Sequence, residues 1–303
     1  MVRDVRKRLE VSERAACRGT GQPRATQRYQ AQQCNGEQAL CDRMRELALR
    51  HPRYGYRRIG ALLRAEGFQV NEKRVHRLWR REGLKVPQKQ HKRGRVMDGS
   101  SENACHRKRA EGINQVWSFD FCHDRTSDGR PLKIFSVIDE FTRRCLAIRV
   151  SRRISGPEVV STLKALIKLH AVVPDQVRCD NGPEFVCAAM RAWSRRVGVA
   201  ALYIAPGSPW ENGYAESYHS RLRDELLDRE EFETLSQAQA LLSNWRSEYN
   251  DERPHGALGY QTPAAFAAEC LRGGAEPCSA TLRPAQHRHE DQERLLLLES
   301  VAQ

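Results

Sequence analysis

The chain has 303 residues, enough for one large core or two smaller ones, and carries 51 Lys and Arg against 38 Asp and Glu, a formal net charge of +13. No run approaches the roughly 18 to 20 apolar residues of a membrane span, and the opening MVRDVRKRLE lacks the apolar centre of a secretory signal, so a soluble intracellular chain is expected. Its ten cysteines contain no Cys-x-x-Cys pair and no P-loop, Gly-rich dinucleotide fingerprint or His-Glu-x-x-His occurs, which argues against zinc-finger, ATP, NAD and zinc-protease chemistry and for free thiols.

The charge is segregated. Residues 1–110 hold 28 Lys and Arg and 11 Asp and Glu, a surplus of 17 positive charges, whereas the remainder holds 23 and 27, a deficit of four. Such a field draws nucleic acid or an anionic membrane surface, and composition alone leaves both open.

Taken in chain order, Ser12 to Arg18, a Gly19-Thr20-Gly21 turn and a segment opened by Pro23 with Arg24 and Arg28 suggest a short helix-turn-helix over about 12–28. A clearer one spans about 56–84. Ile59, Leu62 and Leu63 share one face of its first helix, which Gly67 ends. Asn71 is suited to cap the second helix, Val75, Leu78 and Trp79 form its apolar stripe, and Gly83 stops it. Lys73, Arg74, Arg77, Arg80 and Arg81 make its other side basic, as a helix laid along phosphates or in a major groove requires. This assigns 1–90 as a helical DNA-binding region, and the charged, glycine-containing stretch without apolar period that follows makes 91–112 a linker.

From residue 113 the periodicity changes. Val116–Phe121, Leu132–Ile138 and Cys145–Val150 read as three strands of an antiparallel meander, with Ser127-Asp128-Gly129 as a turn. A capping box at Ser155 and Glu158 opens a helix to about His170, Gln176–Cys179 is a strand, Phe185 to Val197 a helix, Ala200–Ile204 a strand, and a long helix follows Pro209. The order βββαβαβα implies an α/β class, a mixed sheet covered on both faces. A further helix places Leu241, Leu242, Trp245 and Tyr249 on one side, a core stripe, and 271–303 reads as an irregular tail after a core over 113–270.

Three acids stand out. Alternation puts Trp117, Phe119 and Phe121 on one face of the first strand and Asp120 on the other, so Asp120 is either on a solvated face or a metal ligand. Asp180 closes the fourth strand, where open sheets place ligands, although Asp-Asn-Gly is also simply a good turn. Glu216 lies near the start of a long helix, where it complements the dipole or is a solvated surface glutamate. Asp139 and Glu140 read as a strand-end pair without catalytic duty, and His123 as a structural or surface histidine that DNA contact would also suit.

Asp180 and Glu216 are separated by 35 residues, with Asp120 on the first strand of this pattern. Together with HPRYGYRRIGALL, NEKRVHRLWRREGL, VWSFDF, VIDEFTR, CDNGPEF, YIAPGSPWENGYAESYHSRLRDELL and YNDERPHGALGYQTP, the chain resembles the OrfB transposases of bacterial insertion sequences, in the insertion sequence three family, kin to retroviral integrases. The resemblance covers roughly residues 50–265 and implies a ribonuclease H-like core preceded by the all-α basic region. It implies a D,D(35)E polynucleotidyl transferase that cleaves and joins DNA strands at element ends, with Asp120 bridging two Mg²⁺ or Mn²⁺ ions and Asp180 and Glu216 each completing one. Hard cations take oxygen ligands, which suits this trio. Arg223, seven residues after Glu216 on what reads as a continuous helix, would reach DNA beside the metals, or else pair with Asp224 or Glu225. Trp210, Asn212 and Gly213 would shape the site.

The implied partners are terminal repeats and target DNA, a second copy of the chain on DNA, and an upstream-frame protein or a fusion with it. The implied setting is the bacterial cytoplasm at the nucleoid. The rival reading is a DNA-binding regulator, or a decayed element product, with an inactive scaffold. Three departures from the family pattern stand out: Cys179 in place of a common serine, Ala200-Ala201 in place of more polar residues, and His219 in place of an asparagine.

Overall fold

The structure is a computed structural model and describes residues 1–28, 36–87, 110–203 and 212–272. Most of the expected linker, Trp210 and the tail after Arg272 lie outside the described residues. The chain divides into two compact units, Met1–Arg50 and His51 onward.

The first unit is helical: α1 (Val2–Leu9), α2 (Glu13–Thr20), α3 (Arg24–Arg28) and α4 (Glu37–Arg50). Ser12 caps α2 by accepting the Ala15 N–H, and Val2, Ala16 and Cys17 bury a small core with Val5 and Val11. The turn expected at Gly19-Thr20-Gly21 narrows to Gly21, at φ 68°. Thr20 stays helical because its hydroxyl donates back to Ala16 O at 2.9 Å. Two helices here escape the sequence reading. In α4 the buried Leu40, Cys41, Met44 and Leu47 keep helical spacing beneath a largely charged composition.

In the second unit, α5 (Tyr56–Ala65) and α6 (Glu72–Arg81) form the expected pair. Asn71 Oδ1 accepts the Arg74 N–H at 2.8 Å, and Val75, Leu78 and Trp79 are buried. Five strands follow: β1 (Val116–Arg125), β2 (Pro131–Asp139), β3 (Cys145–Ser151), β4 (Gln176–Cys179) and β5 (Ala200–Tyr203). Their spatial order is β3-β2-β1-β4-β5, with β1, β2 and β3 antiparallel and β1, β4 and β5 parallel.

Side-chain alternation sorts the sheet into two buried faces. On one, Trp117, Phe119, Phe135, Val137 and Val177 pack against α7 (Gly156–His170) and α8 (Ala188–Val197). On the other, Cys122, Leu132, Ile134, Ile138 and Val150 pack against α9 (Gly213–Leu222) and α10 (Leu235–Asp251). Each fully buried large side chain is worth about 1.5–3 kcal/mol relative to exposure. The edge strand β3 is blunted by α10: Asn250 accepts from Cys145 N and donates to Cys145 O, both at 2.9 Å, and Arg246 donates to Leu146 O at 2.7 Å. A 3₁₀ turn (Gly256–Leu258) and α11 (Pro263–Arg272) close the described chain.

Two expected boundaries shift. α8 begins at Ala188 rather than Phe185, because Phe185 N and Val186 N both bond Gly182 O in a turn, and the Phe185 ring goes into the core instead, stacked on Phe121 at 4.8 Å. The long helix after Pro209 is regular only over α9 and then widens into a π-helical turn at Arg223–Leu227.

Gly156 sets how closely α7 approaches the segment between β4 and α8. A Cβ there would lie 2.3 Å from Cys187 Sγ and 2.9 Å from Glu184 O. Gly156→Ala is expected to destabilise the fold by about 1–3 kcal/mol, read as a lower urea midpoint, whereas Gly129→Ala at the exposed turn should show only the smaller cost of its positive φ.

Candidate active site

The parallel β1–β4 pairing ends at Ser118 opposite Arg178. Two residues further along each strand stand Asp120, half-buried within β1, and Asp180, the first residue after β4. The pleat returns each acid to the face of Ser118 and Arg178, the one covered by α9 and α10. Asp120 thus lies under a helix and not on an open surface. Its Oδ1 accepts the Phe121 N–H at 2.7 Å.

Asp180 Oδ1 accepts the Gly182 N–H at 2.9 Å. Burial raises the Asp180 carboxyl above the ordinary carboxylate range; the Gly182 N–H opposes this, the negative charges of Asp120 and Glu184 reinforce it, and Lys133 partly offsets them. Burial likewise pushes the Cys179 thiol up to about 12, helped by Asp180 and Asp120. A serine at that position would leave a hydroxyl to satisfy among apolar neighbours; the buried thiol does not.

Glu216 is exposed on α9, one turn before His219. His219 reaches the sheet: its Nδ1 lies 3.6 Å from Asp120 Oδ2 and its Nε2 2.7 Å from Ser136 Oγ. The structure therefore sets Asp120 against His219 and within electrostatic reach of Asp180, and leaves Glu216 on the same helix as His219. Among the described residues no three His, Cys, Asp or Glu side chains form a ready-made metal cluster. The donor chemistry nevertheless fits a hard divalent cation: the negative charge of Asp120 adds to the cost of ionising Asp180, and a third carboxylate is carried by the covering helix.

The far end of α9 is fastened in three ways. Arg223 is exposed, and its Nη2 donates to His123 O at 3.1 Å and to Cys122 Sγ at 3.3 Å, while Nη1 is 4.0 Å from Asp228. Asp224 pairs with Arg53, and Glu225 receives a bidentate grip from Arg253, both side chains under a tenth exposed, with Arg58 at 3.9 Å. Tyr218 in the middle of α9 donates to Cys145 Sγ at 3.0 Å and stands edge-on to Trp245 and Tyr249, whose stripe is core as expected.

The Lys133–Glu184 pair lies outside the sequence reading, and other residues named there take partners it did not supply. Glu140 is buried in an ion pair with Arg178 at 3.1 Å and accepts the Ser118 hydroxyl, one pleat back from the acids. Lys133 pairs with Glu184 and caps the Phe121 ring at 3.9 Å. A lysine inside an apolar strand was the available signal. Asn212 is buried at the start of α9, with Oδ1 lacking a hydrogen-bond partner among the described residues, and Gly213 opens the helix. On α6, Lys73, Arg77, Arg80 and Arg81 are exposed and Arg74 is half-buried.

A mixed sheet in the order β3-β2-β1-β4-β5, with helices on both faces and two acids where antiparallel and parallel halves meet, defines the ribonuclease H-like class of polynucleotidyl transferases. Models described as integrase core domain match residues 110–209 and 197–263, and one described as HTH-like domain matches 36–92. The insertion element IS407 uncharacterized 31.7 kDa protein of Burkholderia multivorans is 38% identical over 88% of this chain and 94% of its own length. The IS476 uncharacterized 39.2 kDa protein of Xanthomonas euvesicatoria is 38% identical over 87% and 75%. The transposase for insertion sequence element IS904 of Lactococcus lactis is 29% identical over 71% and 87%. A solved HTLV-2 integrase catalytic core in complex with magnesium aligns over 51% of this chain and 96% of its own at 16% identity and TM-score 0.40. The chain belongs to the integrase-core transposases of bacterial insertion sequences, the insertion sequence three family. That membership carries divalent-metal chemistry and a DNA partner with it, and among the described residues no helix is long and apolar enough to cross a membrane.

The anchorage of α9 has a pH signature. His255, at 9% exposure, is held neutral: burial, then the charges of Arg253, Arg58 and Arg143, lower its pKa from 6.5 to about 3. The unfolded chain binds this proton near pH 6.5 and the folded chain does not, so its contribution is fully present above pH 6.5 and is lost as pH falls from there toward 3. Each unit in that window costs up to about 1.4 kcal/mol. Urea midpoints are expected to drop between pH 6.5 and 4.5, and His255→Gln should flatten that slope relative to wild type.

Proposed function

We propose that Asp120, Asp180 and Glu216 hold two divalent cations, Mg²⁺ or Mn²⁺, and that the chain uses them to cleave element ends and transfer the strands to target DNA. The observation that supports this most is that Asp120 and Asp180 stand two residues beyond the last pair of the β1–β4 ladder, within electrostatic reach of each other, with Glu216 on the helix above Asp120. Bound there, the cations activate the attacking oxygen and stabilise the leaving one in an in-line displacement at phosphorus. The chain's own part is to place oxygen ligands and to hold the DNA. The bridging position of Asp120 is taken from the resemblance to the family, and Asp180 and Glu216 would each complete the hold on one ion.

In the same reading, α6 lies against element-end DNA through Lys73, Arg74, Arg77, Arg80 and Arg81, and the domains divide into a DNA-binding region over 1–90 and a catalytic core over 113–270. Arg223, anchored to the end of β1 through His123 O, offers its exposed guanidinium to DNA flanking the scissile phosphate. The active species is a multimer assembled on DNA, alone or with an upstream-frame product, at the nucleoid.

Single replacement of Asp120 or Asp180 by Asn, or Glu216 by Gln, in the full chain is expected to abolish Mg²⁺-dependent cleavage and strand transfer while leaving end binding within about threefold of wild type, since bases and phosphates are gripped elsewhere. Cleavage kept within tenfold of wild type by any one variant would remove that acid from the site. Replacing Arg77, Arg80 and Arg81 together by Gln should weaken end binding and reduce the slope of log K against log salt by roughly 0.9 for each phosphate the helix no longer neutralises; an unchanged slope would place the DNA surface elsewhere.

A further inference from the structure

The fold puts the His219 ring against the candidate metal site. In the β1–β2 ladder Asp120 is paired with Ser136, so the two side chains rise side by side from one face of the sheet. α9 crosses above them, and the His219 ring spans the pair, with Nε2 2.7 Å from Ser136 Oγ and Nδ1 3.6 Å from Asp120 Oδ2. The His219 side chain is 12% exposed and that of Asp120 21%, so the ring closes one side of the carboxylate and leaves the other accessible.

Each of these interactions constrains the next. At 3.6 Å the contact with Asp120 is electrostatic and longer than a hydrogen bond, and because a carboxylate oxygen accepts only, it favours the tautomer with its proton on Nδ1, which leaves Nε2 to accept the Ser136 O–H. Asp120 Oδ1 is already fixed by the Phe121 N–H at 2.7 Å. With Oδ2 met by the imidazole, both oxygens have a protein neighbour and the carboxylate has one favoured orientation. The sequence hydroxyl, imidazole, carboxylate has the order found in nucleophilic hydrolases, yet Ser136 is fully buried and offers no path for a substrate. Its hydroxyl serves to hold the ring.

We propose that His219 is a positioning residue for Asp120: locked by Ser136, it sets the orientation in which the Asp120 carboxylate meets a divalent cation. The proposal rests on the reading of Asp120 as a metal ligand. It follows the general behaviour of groups that touch a ligand and not the metal, whose loss weakens metal affinity about 10- to 100-fold. Asparagine at 219 would keep a donor toward Asp120 but is too short to reach Ser136 as well, so it should retain part of the effect.

The test is Mn²⁺ binding to the full chain without DNA, by isothermal titration calorimetry at one fixed pH, with urea unfolding of every variant as a check on the fold. His219→Ala is expected to weaken Mn²⁺ binding at least tenfold, Ser136→Ala by a smaller factor of threefold or more, and His219→Asn to recover most of the loss. If His219→Ala unfolds the chain, Ser136→Ala and His219→Asn carry the test, since each keeps most of the local packing. Unchanged or tighter Mn²⁺ binding in His219→Ala, or in Ser136→Ala where that variant must stand alone, together with lost binding in Asp120→Asn, would overturn the positioning role and leave the metal site intact. Wild-type Mn²⁺ binding by Asp120→Asn would overturn the metal assignment and the proposal with it.

Discussion

The parallel contact between β1 and β4 is the constraint on which the rest of the catalytic half depends. It is only three residue pairs long, Val116 to Ser118 against Gln176 to Arg178, and it is where the sheet changes from antiparallel to parallel. Because the ladder stops there, the next outward-facing residue of each strand, Asp120 and Asp180, is freed from the closed interior while remaining within electrostatic reach of the other. One pleat earlier lies the buried Glu140–Arg178 pair, and removal of either partner would leave an uncompensated charge in the core.

The covering helix is held with comparable care. α9 carries Glu216 at its exposed side, His219 against the sheet, and Tyr218 in an aromatic group with Trp245 and Tyr249. Its continuation is a π-helical turn, Arg223–Leu227, within which Asp224 pairs with Arg53 and Glu225 with Arg253. The position of the third acid is therefore fixed by interactions well beyond it in the chain.

Much of this was legible in the sequence, for identifiable reasons. The strands β1 to β4 announce themselves by alternation and turn residues, and the capping box at Ser155 and Glu158 marks the start of α7 without ambiguity. The spacing of the acids is visible because loops do not hide linear distance. What was hidden is of three kinds. α1 and α4 are masked by charge-rich composition, so that an apolar stripe such as Leu40, Met44 and Leu47 is diluted. The late start of α8 depends on Gly182 O taking two amides, which no periodicity records. The meeting of His219 with Asp120 and Ser136 joins three elements, and the sequence showed only that an unexpected residue stood there.

The ion pairs at the end of α9 also bear on how this chain can be divided. Arg53 and Arg58, and Tyr54 whose ring lies beneath Arg253 and Arg58, precede or open α5, while their acidic partners sit on the helix of the catalytic half. A piece cut between residues 88 and 109 would leave Asp224 and part of the Glu225 charge without their counterions on one side, and bare guanidinium groups with an exposed tyrosine on the other. Each product of such a cut would therefore expose charges that the other neutralises in the intact chain.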